Sequence, residues 1–367
     1  MKVILYIGHH KVGSTALQGF LSQNWLRLAR AGILYPAVES RGFANNLSKA
    51  LSGQEKAETL PVNIREPHSA LAYRMMAEVS DRKVPGQFKF LPPPGQMFQA
   101  IKNQIAWLKP HTVILCSEAF ANFGQVDAAL IRRLGKVFAD VEIEIYCALR
   151  RPDDYLVSWH GQRLKVGEKL PPLSKKAGDL YFDNIHFNFR TVVESWTVEM
   201  PQARLILRDY ADILAGGGST EDFGRQIGAE LPEGMLPAGR ANTSLPRAAM
   251  EIVRQGNHDL APPEARRLAQ YFLNASAAPV PAPNADVEMF GAPLRAEIAK
   301  RFAPIHDWLS QIAGREAFFP DFDEVAQVRP IPEATAAGDL LARIDPATLP
   351  NAALRDYIVA RQKRRAN

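Results

Sequence analysis

The chain has 367 residues, 47% of them hydrophobic and 23% charged, which suits a soluble globular protein with a sizeable core, as two domains or one large α/β unit. Its net charge of +5 suits an anionic ligand, but the basic residues are spread along the chain without aromatic interleaving, so no nucleic-acid partner is expected. The two cysteines sit inside apolar runs, which excludes a disulfide framework or a metal site built on them, and no apolar run approaches the ~18 residues of a membrane span.

The opening "MKVILYIG" is too short for a signal sequence core and carries no cleavage site, so a cytoplasmic location is expected. Residues 2–7 read as a strand, and 14–31 as a helix with Leu17, Phe20, Leu21, Trp25 and Leu28 on one face. Between 36 and 110, prolines break the pattern into short helices, such as 70–79 and 96–107. An insertion here, between the first two strong strands, is expected to lie over an acceptor cleft. Strands follow at 112–116, 142–149 and 204–208, separated by helices at 128–139, 155–165 and 187–200. Such alternation predicts βαβ units and a parallel sheet. A Pro/Ala-rich stretch at 276–293 leads to a helix near 292–312, and the chain ends in the amphipathic, basic "LRDYIVARQKRRAN". The partition expected is therefore 1–275 for the α/β domain and 276–367 for a linker and helical C-terminal extension.

Two stretches carry chemistry. In "IGHHKVGSTALQ" (7–18) a strand, a glycine-bearing turn and a helix start combine into an anion site. The first-turn N–H groups are unsatisfied, the helix dipole adds positive potential, and glycines admit a close ligand. An ordinary P-loop places its lysine after the second glycine. Here Lys11 projects from within the turn, and Ser14 and Thr15 add hydroxyls after Gly13. In "CALRRPDDYLVSWHGQ" (147–162), Arg150 ends a strand, Pro152 is placed to begin a helix, and Ser158 follows two turns along. A guanidinium fork and a hydroxyl suit a second phosphate, although Asp153 or Asp154 offers Arg150 a plain ion-pair partner.

Together these stretches resemble the two nucleotide motifs of sulfotransferases that use 3′-phosphoadenosine 5′-phosphosulfate (PAPS), and the wording is most similar to bacterial members related to carbohydrate sulfotransferases. The resemblance spans roughly residues 1–260 and is specific only in the two motifs. It implies an α/β fold with a P-loop-type parallel sheet flanked by helices, a mostly helical insertion and a helical C-terminal part. It further implies that Lys11, Val12, Gly13, Ser14 and Thr15 hold the 5′-phosphosulfate and that Arg150 and Ser158 hold the 3′-phosphate. The late "RKG" motif of cytosolic small-molecule members is absent, and Arg240 in "GRANTS" is the candidate to stand in for it.

Sulfuryl transfer leaves negative charge on the bridging oxygen, where a lysine inside the loop is well placed to meet it. The acceptor, a hydroxyl or amine of a carbohydrate or glycoconjugate, also needs a base. Glu118, at the carboxyl end of the strand 112–116, is the first candidate, and His10 the second; His9 and His160 are weaker. Trp107 and Trp159 are candidates for sugar stacking, and Arg190 or Arg208 for pairing with an acidic group on the acceptor. No metal ligand set is read, and oligomeric state is not legible. The alternatives are a phosphotransferase with an altered P-loop and a protein that binds nucleotide or sulfated glycan without turnover.

Overall fold

A computed structural model describes residues 1–53, 60–229, 231–237, 244–274 and 281–366. Five strands, β1 (Lys2–Tyr6), β2 (Ile33–Leu34), β3 (Thr112–Cys116), β4 (Glu142–Leu149) and β5 (Arg204–Asp209), form one parallel sheet in the order β2-β3-β1-β4-β5. All five residues of β3 are buried, as are all but the first of β4. Near-continuous apolar runs of this kind are what a sheet covered on both faces by helices requires. Cys116 and Cys147 are buried free thiols within β3 and β4.

From β1 the chain goes to β2 and β3 on one side, and after β3 it crosses to β4 and β5 on the other. The connections therefore diverge at the carboxyl ends of β1 and β4, where a sheet of this kind offers its loops to a ligand. Both stretches singled out in the sequence leave the sheet at that point.

The described residues fall into two compact units. The first comprises Met1–Arg150, Asn188–Ala241 and Leu309–Phe318 and contains the sheet. The helix expected over 14–31 is two helices, α1 (Ser14–Gln23) and Trp25–Arg30, broken at Asn24. The Asn24 amide donates to the Phe20 carbonyl, as the Asn24 backbone N–H also does, and to the Leu236 carbonyl far along the chain. Asparagine competes with the helix by such local bonds, and the distant partner fixes the break. In the insertion, the helices Ser40–Ser52, Pro67–Val79 and Pro94–Leu108 stand out. Pro67 and Pro94 each occupy a first helical position, where the missing N–H costs nothing.

The second unit comprises Arg151–Phe187, Asn242–Trp308 and Phe319–Asn367 and is mostly helical. It holds a charge network that runs from the buried Arg151, Asp153, Arg295 and Glu288 out to the more exposed Asp321 and Glu324. Arg151 pairs with Asp153 at 2.8 Å and Glu324 at 3.0 Å, and also with Asp321, while Arg295, 1% exposed, pairs with Glu288 at 2.6 Å and Asp153 at 3.4 Å. Among the described residues no helix is long and apolar enough to cross a membrane.

Candidate functional site

The loop after β1 is shaped by its own backbone. The Ile7 and His9 N–H groups donate to the Tyr146 and Ala148 carbonyls, each at 2.9 Å, carrying the β1–β4 pairing past the end of β1. The chain then turns through two left-handed residues, Lys11 (φ 64) and Gly13 (φ 84). Val12 between them is fully buried and anchors the loop in the sheet's hydrophobic core. α1 starts directly after Gly13 with no side-chain cap and no acidic residue in its first turn. Ala16 and Leu17 donate to the Gly13 carbonyl. The helix dipole and the remaining first-turn donors thus face the loop without an acid from the helix itself. Ser14 is buried; Lys11 and Thr15 are half-buried.

A second glycine-bearing turn braces the first. Ser219, at the start of the helix Ser219–Gln226, donates from its hydroxyl to the Val12 carbonyl at 3.3 Å. A Cβ on Gly13 would lie 2.0 Å from that same Ser219 oxygen. Tyr210 packs nearby, 3.8 Å from the same Cβ position, and its ring lies under the Arg150 guanidinium at 5.6 Å. This cation–π contact orients Arg150 at the end of β4. Beneath the loop, the Tyr6 and Tyr146 rings stack at 5.3 Å. The Tyr146 hydroxyl donates to Asp222 at 2.6 Å, and Arg208 forks onto the same carboxylate at 2.7 and 3.1 Å. Arg208 is therefore part of the floor.

On the other side of β1, the Ser117 N–H donates to the Tyr6 carbonyl at 3.1 Å, so β3 ends level with β1 and Glu118 follows at once. Glu118 opens the 3-10 helix Glu118–Asn122, half-buried, and its Oε2 accepts from Gln18 Nε2 of α1 at 2.7 Å. Glu66 lies close enough that its carboxyl is raised, by burial first and then by the charge on Glu118, against the opposing hydrogen bond from Arg65. His10 Nε2 lies 3.3 Å from Asn122 Nδ2. Burial, and then the charge on Lys11, pull His10 down to about 4. At neutral pH its ring is uncharged, with the Nε2 lone pair directed at an amide donor.

The first unit therefore brings Lys11, Val12, Gly13, Ser14, Thr15, His10, Glu118 and Arg150 to one end of one sheet. Ser158 belongs to the second unit, half-buried on the helix Pro152–Lys165, and Arg240 lies outside the described residues. Asp153 pairs with Arg151 and Arg295, and Asp154 accepts from Arg247 at 2.6 Å. Arg190 pairs with Glu194 on its own helix. Trp159 stacks on His186 at 4.2 Å, and His160 is buried and bonded to the Tyr181 hydroxyl. Trp107 is 67% exposed at the far end of the helix Pro94–Leu108, just before β3 begins and so away from the carboxyl edge. Three residues of the site escape a sequence reading: Gln18, Tyr210 and Ser219. Only Ser219 leaves a trace, because "GGGST" (216–220) repeats the order of glycine, serine and threonine seen at 13–15. Compared with known protein families, curated proteins and solved structures, the chain matches none.

Proposed function

We propose that the chain is a PAPS-dependent sulfotransferase that sulfates a hydroxyl or amine on a carbohydrate or related acceptor. The observation that carries this reading is Lys11, held in a left-handed conformation inside the loop, before an uncapped helix N-terminus at the point where the sheet connections diverge. A strand order of β2-β3-β1-β4-β5 with the glycine loop after β1 supports a P-loop-type arrangement. The donor set fits a phosphosulfate. Backbone N–H groups from Lys11 to Thr15 and the two hydroxyls would hold it, and Arg150, carried on Tyr210, would meet the 3′-phosphate.

In the transfer, the acceptor oxygen or nitrogen forms a bond to sulfur as the bond from sulfur to the phosphate oxygen breaks. The electron pair goes to that bridging oxygen, where Lys11 places its charge, a contribution of about 3 kcal/mol for a well-placed donor. The acceptor proton goes to Glu118. His10 suits that role less well, since its Nε2 is directed at the Asn122 amide.

The deciding experiment is calorimetric titration with adenosine 3′,5′-bisphosphate, without metal, against ATP with Mg²⁺. Tight binding of the bisphosphate and weak binding of Mg-ATP are expected. A preference for Mg-ATP overturns the reading in favour of a phosphotransferase. Bisphosphate binding without any transfer from labelled PAPS would leave a binding protein.

A further inference from the structure

Glu118 is the end point of a buried hydrogen-bond chain whose direction is fixed at every step. The Ala119 N–H donates to Ser117 Oγ at 3.0 Å. Ser117 Oγ and Ser69 Oγ lie 2.9 Å apart. Ser69 donates to Gln18 Oε1 at 3.2 Å, and Gln18 Nε2 donates to Glu118 Oε2 at 2.7 Å. A serine has one proton to give, and the Gln18 carbonyl oxygen can only accept. Ser69 therefore spends its proton on Gln18 and must accept from Ser117. An ionised carboxylate also only accepts, so the Gln18 amide has a single orientation, nitrogen toward Glu118 and oxygen toward Ser69.

The links leading to Glu118 are closed to bulk solvent. Gln18 and Ser117 are 0% exposed and Ser69 2%. A buried glutamine is costly unless both ends of its amide are bonded, and an apolar side chain of its length would fill the same space without that requirement. The three links come from α1, from the helix Pro67–Val79 of the insertion and from the end of β3, so the elements around the site converge on one oxygen of one carboxylate.

We propose that Gln18 is the positioning residue for Glu118. It fixes Oε2, and with it the carboxylate plane, so that Oε1 is the oxygen that takes the acceptor's proton. This rests on the reading of Glu118 as the base of a sulfotransferase. Ser69 and Ser117 act one step further back, setting the Gln18 amide so that it presents N–H and not carbonyl oxygen.

The test uses the full chain with labelled PAPS and two defined acceptors, water (sulfate release) and octyl glucoside. Gln18→Met keeps the length and removes the amide. It is expected to lower kcat about 10- to 100-fold, with the dissociation constant for adenosine 3′,5′-bisphosphate unchanged within about twofold. In a Glu118→Gln background the same change is expected to cost less than about twofold, because residues acting as one unit are non-additive. A purely structural role would give the same loss in both backgrounds and would overturn the proposal, as would full activity of Gln18→Met. If Gln18→Met does not fold, Ser69→Ala serves in its place, with a loss of roughly 3- to 10-fold that vanishes in the Glu118→Gln background. Wild-type chain that binds the bisphosphate yet transfers to neither acceptor would remove the sulfotransferase reading and this role with it.

Discussion

At the scale of single residues, Lys11 stands out because its backbone and its side chain pull in opposite directions. A non-glycine residue at φ 64 carries a left-handed penalty of about 1–2 kcal/mol that glycine does not. Glycine in turn loses about 0.5–1 kcal/mol through its freer unfolded chain. On these backbone terms alone, glycine would serve at position 11 as well as lysine or better. Lys11→Gly is accordingly expected to change stability by no more than about 1 kcal/mol, while turnover falls on the order of 100-fold and bisphosphate binding weakens far less. Denaturant unfolding beside single-turnover kinetics makes the comparison. A variant that loses stability and activity in step would make Lys11 a packing residue. His10, by contrast, is attractive in the sequence for its titration range, and burial, then the charge on Lys11, removes it from that range, while its Nε2 faces the Asn122 amide. Asn122 is 112 positions away, so no local pattern announces it.

At the scale of elements, the loop is held by a contact between two helix starts. Gly13 is needed twice, for φ 84 and because a Cβ would lie 2.0 Å from Ser219 Oγ and 3.1 Å from Ser219 Cβ. Gly13→Ala is expected to destabilise the first unit by about 2–3 kcal/mol, through left-handed strain and overpacking together. Adding Ser219→Ala removes the nearer clash and should restore roughly half of that loss in a double-mutant cycle. Simple additivity of the two changes would mean that the turns do not touch. The elements most legible in the sequence were those with a strong period or a run of β-branched residues. β3 and β4 fall where 112–116 and 142–149 were read, and the helix Pro67–Val79 starts at the proline preceding the 70–79 pattern. β2 was missed because two residues carry no alternation, and its pairing with Thr112 and Val113 is set by the sheet. The candidate site is legible in its glycines, its lysine and the arginine after β4, which the structure places at one end of the sheet. Gln18 was not, since a glutamine on a helix face reads as solvent-facing until Ser69 and Glu118 are seen around it.

At the scale of the whole molecule, chain order does not reveal that 151–187 groups with 242–308 and 319–367, and each unit holds buried groups whose shifts make its stability depend on pH. In the first, burial pulls His68 down to about 3, and burial with the Lys11 charge pulls His10 to about 4. The unfolded chain binds more protons than the folded one below pH ~6.5, so this unit loses stability as pH falls toward those values and gains no alkaline penalty from them. In the second unit, His160 behaves the same way, pulled by burial to about 4, but Glu333 does not. It opens the helix Glu333–Arg343 beside Glu251, whose carboxylate already takes both prongs of Arg254 and the Gln255 amide. Burial first, and then the charge on Glu251, push Glu333 up to about 8, against a smaller opposing pull from Arg254. The folded form then holds a proton that the unfolded chain has released, so stability falls as pH rises from ~4.5 through about 8. Hydrogen exchange, corrected for intrinsic rates, should therefore show peptides from the helix Glu333–Arg343 losing protection between pH 6 and pH 8.5 while β1, β3 and β4 keep theirs. Glu333→Gln, neutral at every pH, is expected to abolish that loss. If the helix loosens in the variant as in the wild type, the alkaline sensitivity lies elsewhere, and Glu333 is ionised in the folded chain with its charge met by Arg254.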